Sequence, residues 1–216
     1  MKQYFEISDV TAREIVAAGG VPTLEVEVTL DDGSVGRAAV PADMKNGRTV
    51  STAVDNVNIE ISEALLAMDA LSQPSIDKLL LELDGSADGK RLGSNALMAA
   101  SLACAKAAAE SSGLSLYNYI GGVNAKTIPP VLNGNEALAM TDFATLTQLL
   151  DAVRARMRSG EKIILSAGKD ESEDPVLADL AVAVNADGLI SSSISVYNQL
   201  LRIEEELFDV PEYPET

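Results

Sequence analysis

The chain predicts an α+β domain built on a three-stranded antiparallel meander with helices against one face, followed by a shorter segment of βα units with parallel strands. Three observations carry this expectation. Apolar and polar residues alternate over residues 5–10, 23–30 and 35–40; the spacing turns helical after Pro41; and strand-like and helix-like stretches take turns after Ala125. The division places one domain over residues 1–125 and a second over residues 126–216.

In the first part, Asp31-Asp32-Gly33-Ser34 is the turn between the second and third strands. Val50, Val54, Val57, Ile61, Leu65 and Met68 then recur every three or four positions, which predicts one core-facing helix over residues 50–68. Ser72-Gln73-Pro74-Ser75 opens the next helix, through Leu83, and Ser94 opens an alanine-rich helix through Ser112. The polar, glycine-bearing run Gly121-Gly122-Val123-Asn124-Ala125-Lys126 reads as a linker. Beyond it, strands over residues 137–140, 162–166 and 188–191 alternate with helices over 145–158, 175–184 and 195–207. That order implies right-handed crossovers between parallel strands.

Composition excludes several functional classes. With 216 residues and 47% hydrophobic content, the chain can bury one good core or two small ones. Its formal net charge of -17 disfavours nucleic acid and anionic membranes, whose recognition depends on clustered Lys and Arg. Arg154, Arg156 and Arg158 are the nearest approach to such a cluster and fit a solvated helix face. No apolar run approaches the roughly 20 residues that span a bilayer, and residues 1–6 lack the apolar stretch of a signal peptide. A cytoplasmic location is therefore expected. The single cysteine, Cys104, lies among alanines as a small core filler, and histidine is absent, which removes the commonest general acid/base.

Specific phrases go further. Gly20-Val21-Pro22-Thr23, Val54-Asp55-Asn56-Val57-Asn58, Asp84-Gly85-Ser86, Leu92-Gly93-Ser94-Asn95-Ala96, Ser101-Leu102-Ala103, Lys106-Ala107-Ala108-Ala109 and Leu116-Tyr117 occur in this order. Near the end stand Thr145-Leu146-Thr147, Glu171, Glu173-Asp174, Ala178-Asp179-Leu180-Ala181-Val182 and residues 197–207, Tyr-Asn-Gln-Leu-Leu-Arg-Ile-Glu-Glu-Glu-Leu. Together they closely resemble the enolase (phosphopyruvate hydratase) family. The resemblance implies an enolase-type N-terminal domain and the last units of an α/β barrel.

A closed eight-stranded barrel takes about 250 residues, roughly 30 per unit. Residues 128–216 supply 89 positions, counted inclusively, so a partial barrel of three βα units is expected, with residues 128–132 as a possible fourth strand. In the family, the absent middle carries the carboxylates that hold two Mg²⁺ ions and the acid that assists loss of hydroxide. Those metals stabilise the dianion formed when a proton leaves the carbon beside the substrate carboxylate.

Outlying positions of the resemblance have changed as well. Where the family has a mobile Pro-Ser-Gly-Ala-Ser-Thr-Gly loop, this chain has Pro41-Ala42-Asp43-Met44-Lys45, without the metal-binding serine. The basic lysine that precedes Thr-Leu-Thr in the family matches Ala139. The phosphate-binding arginine matches Gly168, the second substrate lysine matches Ile190, and the Arg-Ser-Glu-Arg run before Tyr197 is missing. The expectation is accordingly a pseudoenzyme with no catalytic, cofactor-binding or metal-binding residues.

Other local patterns have plain readings. Residues 84–89 partly resemble a calcium loop, but Asn95 stands where a bidentate Glu is needed. Glu171, Glu173 and Asp174 suit the N-terminus of the helix that follows them, and Lys169 reads as an exposed lysine. The short open sheet would leave edges and an apolar face that association could cover, as a homodimer or with a full-length enolase. The alternative is a residual or altered hydratase that converts 2-phosphoglycerate and phosphoenolpyruvate with Mg²⁺. Its strand-end titratable groups would be Asp142, Lys169 and Glu171.

Overall fold

The computed structural model describes residues 4–17, 20–41, 49–86, 90–134, 136–168, 171–208 and 211–213. Strands β1 (Ile7–Val16), β2 (Pro22–Leu30) and β3 (Val35–Pro41) form the antiparallel meander in the order β1-β2-β3. One face is apolar, with Leu24, Val26, Val28 and Leu30 of β2 at 0–1% exposure. The other carries a ladder in which Arg13 pairs with Glu25 at 2.6 Å and Glu27 pairs with both Arg13 and Arg37.

β1 runs past the residues 5–10 expected of it: residues 11–16, Thr-Ala-Arg-Glu-Ile-Val, lack a clean alternation, yet their backbone pairs with β2 as far as Val16↔Pro22. Its outer edge is partly covered. The Asn58 side chain accepts from Ala12 N at 2.7 Å and donates to Ala12 O at 3.1 Å, in place of a neighbouring strand.

The single helix expected over residues 50–68 is instead α1 (Val50–Asn56), a π-helical turn (Val57–Ile61) and α2 (Ser62–Leu65). It stops early because Ala67 adopts φ 65° and turns the chain onto β1, where Ala67 N donates to Ile7 O and Ile7 N to Met68 O, both at 2.9 Å. α3 (Gln73–Asp84) follows, then the alanine-rich α4 (Ser94–Ser111), which lies across the apolar face of the meander. Small residues set that approach: a Cβ on Gly36 of β3 would lie 2.0 Å from Ala103 O. Cys104 is fully buried in α4, and burial pushes its thiol well above the ordinary value.

α5 (Leu116–Gly121) runs into the stretch expected to be a linker. Gly121 is a packing residue here, since a Cβ on it would lie 2.2 Å from the backbone O of Ala183. Gly122, at φ 65°, ends the helix.

The second part holds β4 (Leu138–Ala139), α6 (Leu146–Ser159), β5 (Ile164–Ser166), α7 (Val176–Ala183), β6 (Gly188–Ile190) and α8 (Ile194–Leu207). The strands are parallel in the order β4-β5-β6, and Val131 bridges the free side of β6. Leu189 N donates to Pro130 O at 3.0 Å and Leu132 N to Leu189 O at 2.8 Å, so the expected fourth strand exists as one bridged segment. Leu138, Leu165, Leu189 and Val131 lie in one register row across an open sheet, not a closed barrel.

Two polar joints tie the parts together. Asp174, ahead of α7, accepts from Lys106 Nζ of α4 at 2.7 and 2.8 Å, from Ala39 N of β3 at 2.8 Å and from Val176 N at 2.9 Å. At the start of α6, Leu146 N donates to Ser101 Oγ at 3.0 Å and Thr147 N to Asp77 Oδ2 at 2.8 Å. Ser101 in turn donates to Asp77 Oδ1 at 2.6 Å. The buried apolar residues of both parts form one continuous cluster.

Candidate functional site

An open cleft of about 900 Å³ lies at the C-terminal ends of β4, β5 and β6. This is where α/β sheets place their ligands, because loops leave the strands there and helix N-termini face inward. Ala139, Ser166 and Ile190 supply the strand ends, while Thr23 and Pro41 of the meander contribute to the rim.

Each position at which the resemblance implies a substrate-binding cation can now be located. Ala139 and Ile190 line the cleft and carry no charge. Gly168 also lines it, at φ 119°, and a Cβ on it would stand 2.2 Å from Thr141 Oγ1. The backbone therefore resists any side chain there, apart from the loss of the guanidinium itself. Among the described lining residues the ionisable groups are the carboxyls of Asp142, Glu171 and Glu173, and none is a cation.

Of the three strand-end groups named from the sequence, the structure brings Asp142 and Glu171 to the cleft; Lys169 lies outside the described residues. Glu171 already has partners, accepting from Ser192 N at 3.0 and 3.1 Å and from Ser192 Oγ at 3.0 Å. Glu173 accepts from Ser195 Oγ at 2.9 Å. The expectation that all three acids would serve the N-terminus of α7 holds for Asp174 alone; Glu171 and Glu173 instead secure the start of α8, which faces them across the sheet end. The loop at residues 42–48 lies outside the described residues. In the calcium-like stretch, Asp84 is occupied internally, accepting from Leu92 N at 2.7 Å, Ser86 N at 3.1 Å and Ser86 Oγ.

Sequence reasoning missed the buried Asp179 of α7. Burial pushes its carboxyl up to about 6, against the opposing pull of Lys106 and of Gln199, whose amide donates to both oxygens at 3.3 Å. Its position within an apolar helix, Val-Leu-Ala-Asp-Leu-Ala-Val-Ala, was the signal that could have found it.

An antiparallel meander packed on an alanine-rich helix, joined to a parallel βα sheet with a cleft at its strand ends, defines an α+β-capped, partial α/β-barrel protein. Residues 7–120 match the family model of the enolase N-terminal domain, and residues 128–215 match that of the enolase C-terminal TIM barrel domain. The chain belongs to the enolase family.

That family implies bound Mg²⁺, and the described side chains do not fit it. Among the described residues no group of three or more carboxylate, thiolate or imidazole side chains is placed to hold a metal ion. The cleft carboxylates Glu171 and Glu173 are turned to serines of the following loop and helix. No reaction step is therefore assigned to a metal here. Among the described residues no helix is long and apolar enough to cross a membrane.

Proposed function

We propose that this chain is a non-catalytic member of the enolase family that acts in the cytoplasm through protein association, with a second copy of itself or with a full-length enolase. The observation that carries this reading is the chemistry of the cleft. Ala139, Gly168 and Ile190 stand where the resemblance implies a base and two substrate-binding cations, and among the described lining residues the ionisable side chains are acidic. A phosphorylated carboxylate entering such a cleft meets like charge with no compensating cation among the described lining residues, which raises its free energy in both the ground state and the transition state.

The retained residues support the same reading. Ser101, Lys106 and Asp174, all within the family phrases, bond the two parts of the molecule to each other. Light scattering at micromolar concentration, on the chain alone and mixed with a full-length enolase, tests the association. A dimer or a mixed complex is expected; a stable monomer in both samples would overturn the proposal.

A further inference from the structure

α8 carries large apolar side chains on its exposed face. β4, β5 and β6 are each followed by a helix, α6, α7 and α8. The segment bridged at Val131 is not: only residues 133–137 separate Leu132 from β4, too few for a helix that returns along the sheet. α8 packs on α7 through its buried face, Val196, Leu200 and Ile203. On the side away from that contact, Ile194, Tyr197 and Leu201 lie one helical turn apart and are 74%, 44% and 61% exposed; Phe208, past the end of the helix, is 80% exposed. Solvated helix faces do not ordinarily carry large apolar residues at this spacing.

Resting on the reading that this protein works by association, we infer that the α8 stripe docks an amphipathic helix of another protein whose flanks are rich in Lys and Arg. The spacing selects a helix, since residues at i, i+3 and i+7 offer a ridge to the groove of a second helix. Charge selects its flanks. Glu205 interrupts the stripe and Glu204 borders it, against the single Arg202, on a chain whose net charge is -17. A second copy is a poor occupant for the same reason. Two α8 helices packed stripe to stripe would bring Glu205 of each against an apolar or acidic face. A basic helix places a cation opposite Glu205 while covering Ile194, Tyr197 and Leu201.

The probe is a synthetic helix of the same length as α8, with leucines along one face and lysines elsewhere, fluorescently labelled and titrated with the full chain at physiological salt. Saturable binding is expected, weakened at least about tenfold by Leu201→Asp, and absent for the same peptide with glutamates replacing the lysines. Leu201 is exposed, and the melting curve of the variant establishes that it folds. Because Leu201→Asp adds negative charge, nonspecific attraction would leave binding unchanged or stronger, and that result would overturn the inference. So would the absence of binding, or a dimer of the chain alone that Leu201→Asp dissociates. Failure here with a complex still visible by light scattering removes only this docking site, whereas hydratase turnover by the chain removes the reading on which it rests.

Discussion

The meander region and the βα region differ in how they hold themselves together. In the first, strands of 7 to 10 residues pair along their length and a largely buried helix covers them. In the second, strands of 2 or 3 residues carry few ladder bonds of their own, and the starts of α6 and α7 are fixed by side chains of α3 and α4 or by the backbone of β3. A barrel closes on itself to satisfy its edges; this open sheet leans on its neighbour instead. Ser101, Lys106 and Asp174, which lie in the family phrases, thus serve as the joint between the two regions.

The sharpest way to break that contrast is Asp174→Ala. It leaves the Lys106 ammonium, whose side chain is 20% exposed, and the Ala39 and Val176 amides without their acceptor. Removing one partner of a largely buried pair costs about 3–5 kcal/mol, and denaturant melts should show it. Amide exchange should rise first in β4–β6 and α7, ahead of the meander.

Asp179→Asn should act in the opposite direction. The folded-state carboxyl is raised from 3.8 to about 6, so its contribution is most favourable below the unfolded value and is lost as pH rises through about 6. The amide cannot ionise. Its gain over the native chain should be greatest near neutral pH, up to roughly 3 kcal/mol, since each tenfold change in proton affinity is worth about 1.4 kcal/mol. The gain should vanish toward pH 4 in thermal melts across that range.

Gly121→Ala tests the helix contact between the regions. Its Cβ would meet the backbone of Ala183, which cannot swing aside, so α5 and α7 must separate at about 1–3 kcal/mol. Glu27→Gln, on the solvated ladder of the meander, should change stability by less than about 1 kcal/mol, measured by the same melts, although Glu27 has two arginine partners.

How much was legible in the sequence follows the same division. Alternation in β2 and β3 and the turn at Gly33 report a sheet with one wet face, a pattern that period-2 reading detects directly. β1 reads short because Thr11, Arg13 and Glu14 look like loop residues until their partners on β2, among them Glu25 and Glu27, are in place. β4, β5 and β6 show as apolar runs between helices, though strands this short have no periodicity of their own. The π-helical turn and the packing role of Gly121 depend on contacts with β1 and α7, which no local window contains. At the cleft, Ala139, Gly168 and Ile190 are readable because each stands in a phrase where the resemblance implies a charged residue. The partners of Glu171 and Glu173 are not, since Ser192 and Ser195 reach them only after the crossover through α7 and β6.

The most direct measurement of the central claim is hydration of phosphoenolpyruvate by the purified chain with Mg²⁺ at saturating substrate, followed by absorbance beside a full-length enolase. With Ala139, Gly168 and Ile190 standing where the resemblance implies a base, a phosphate-binding arginine and a substrate-binding lysine, the proposal predicts a rate indistinguishable from buffer. Turnover that is abolished by Asp142→Asn or Glu171→Gln would contradict the account.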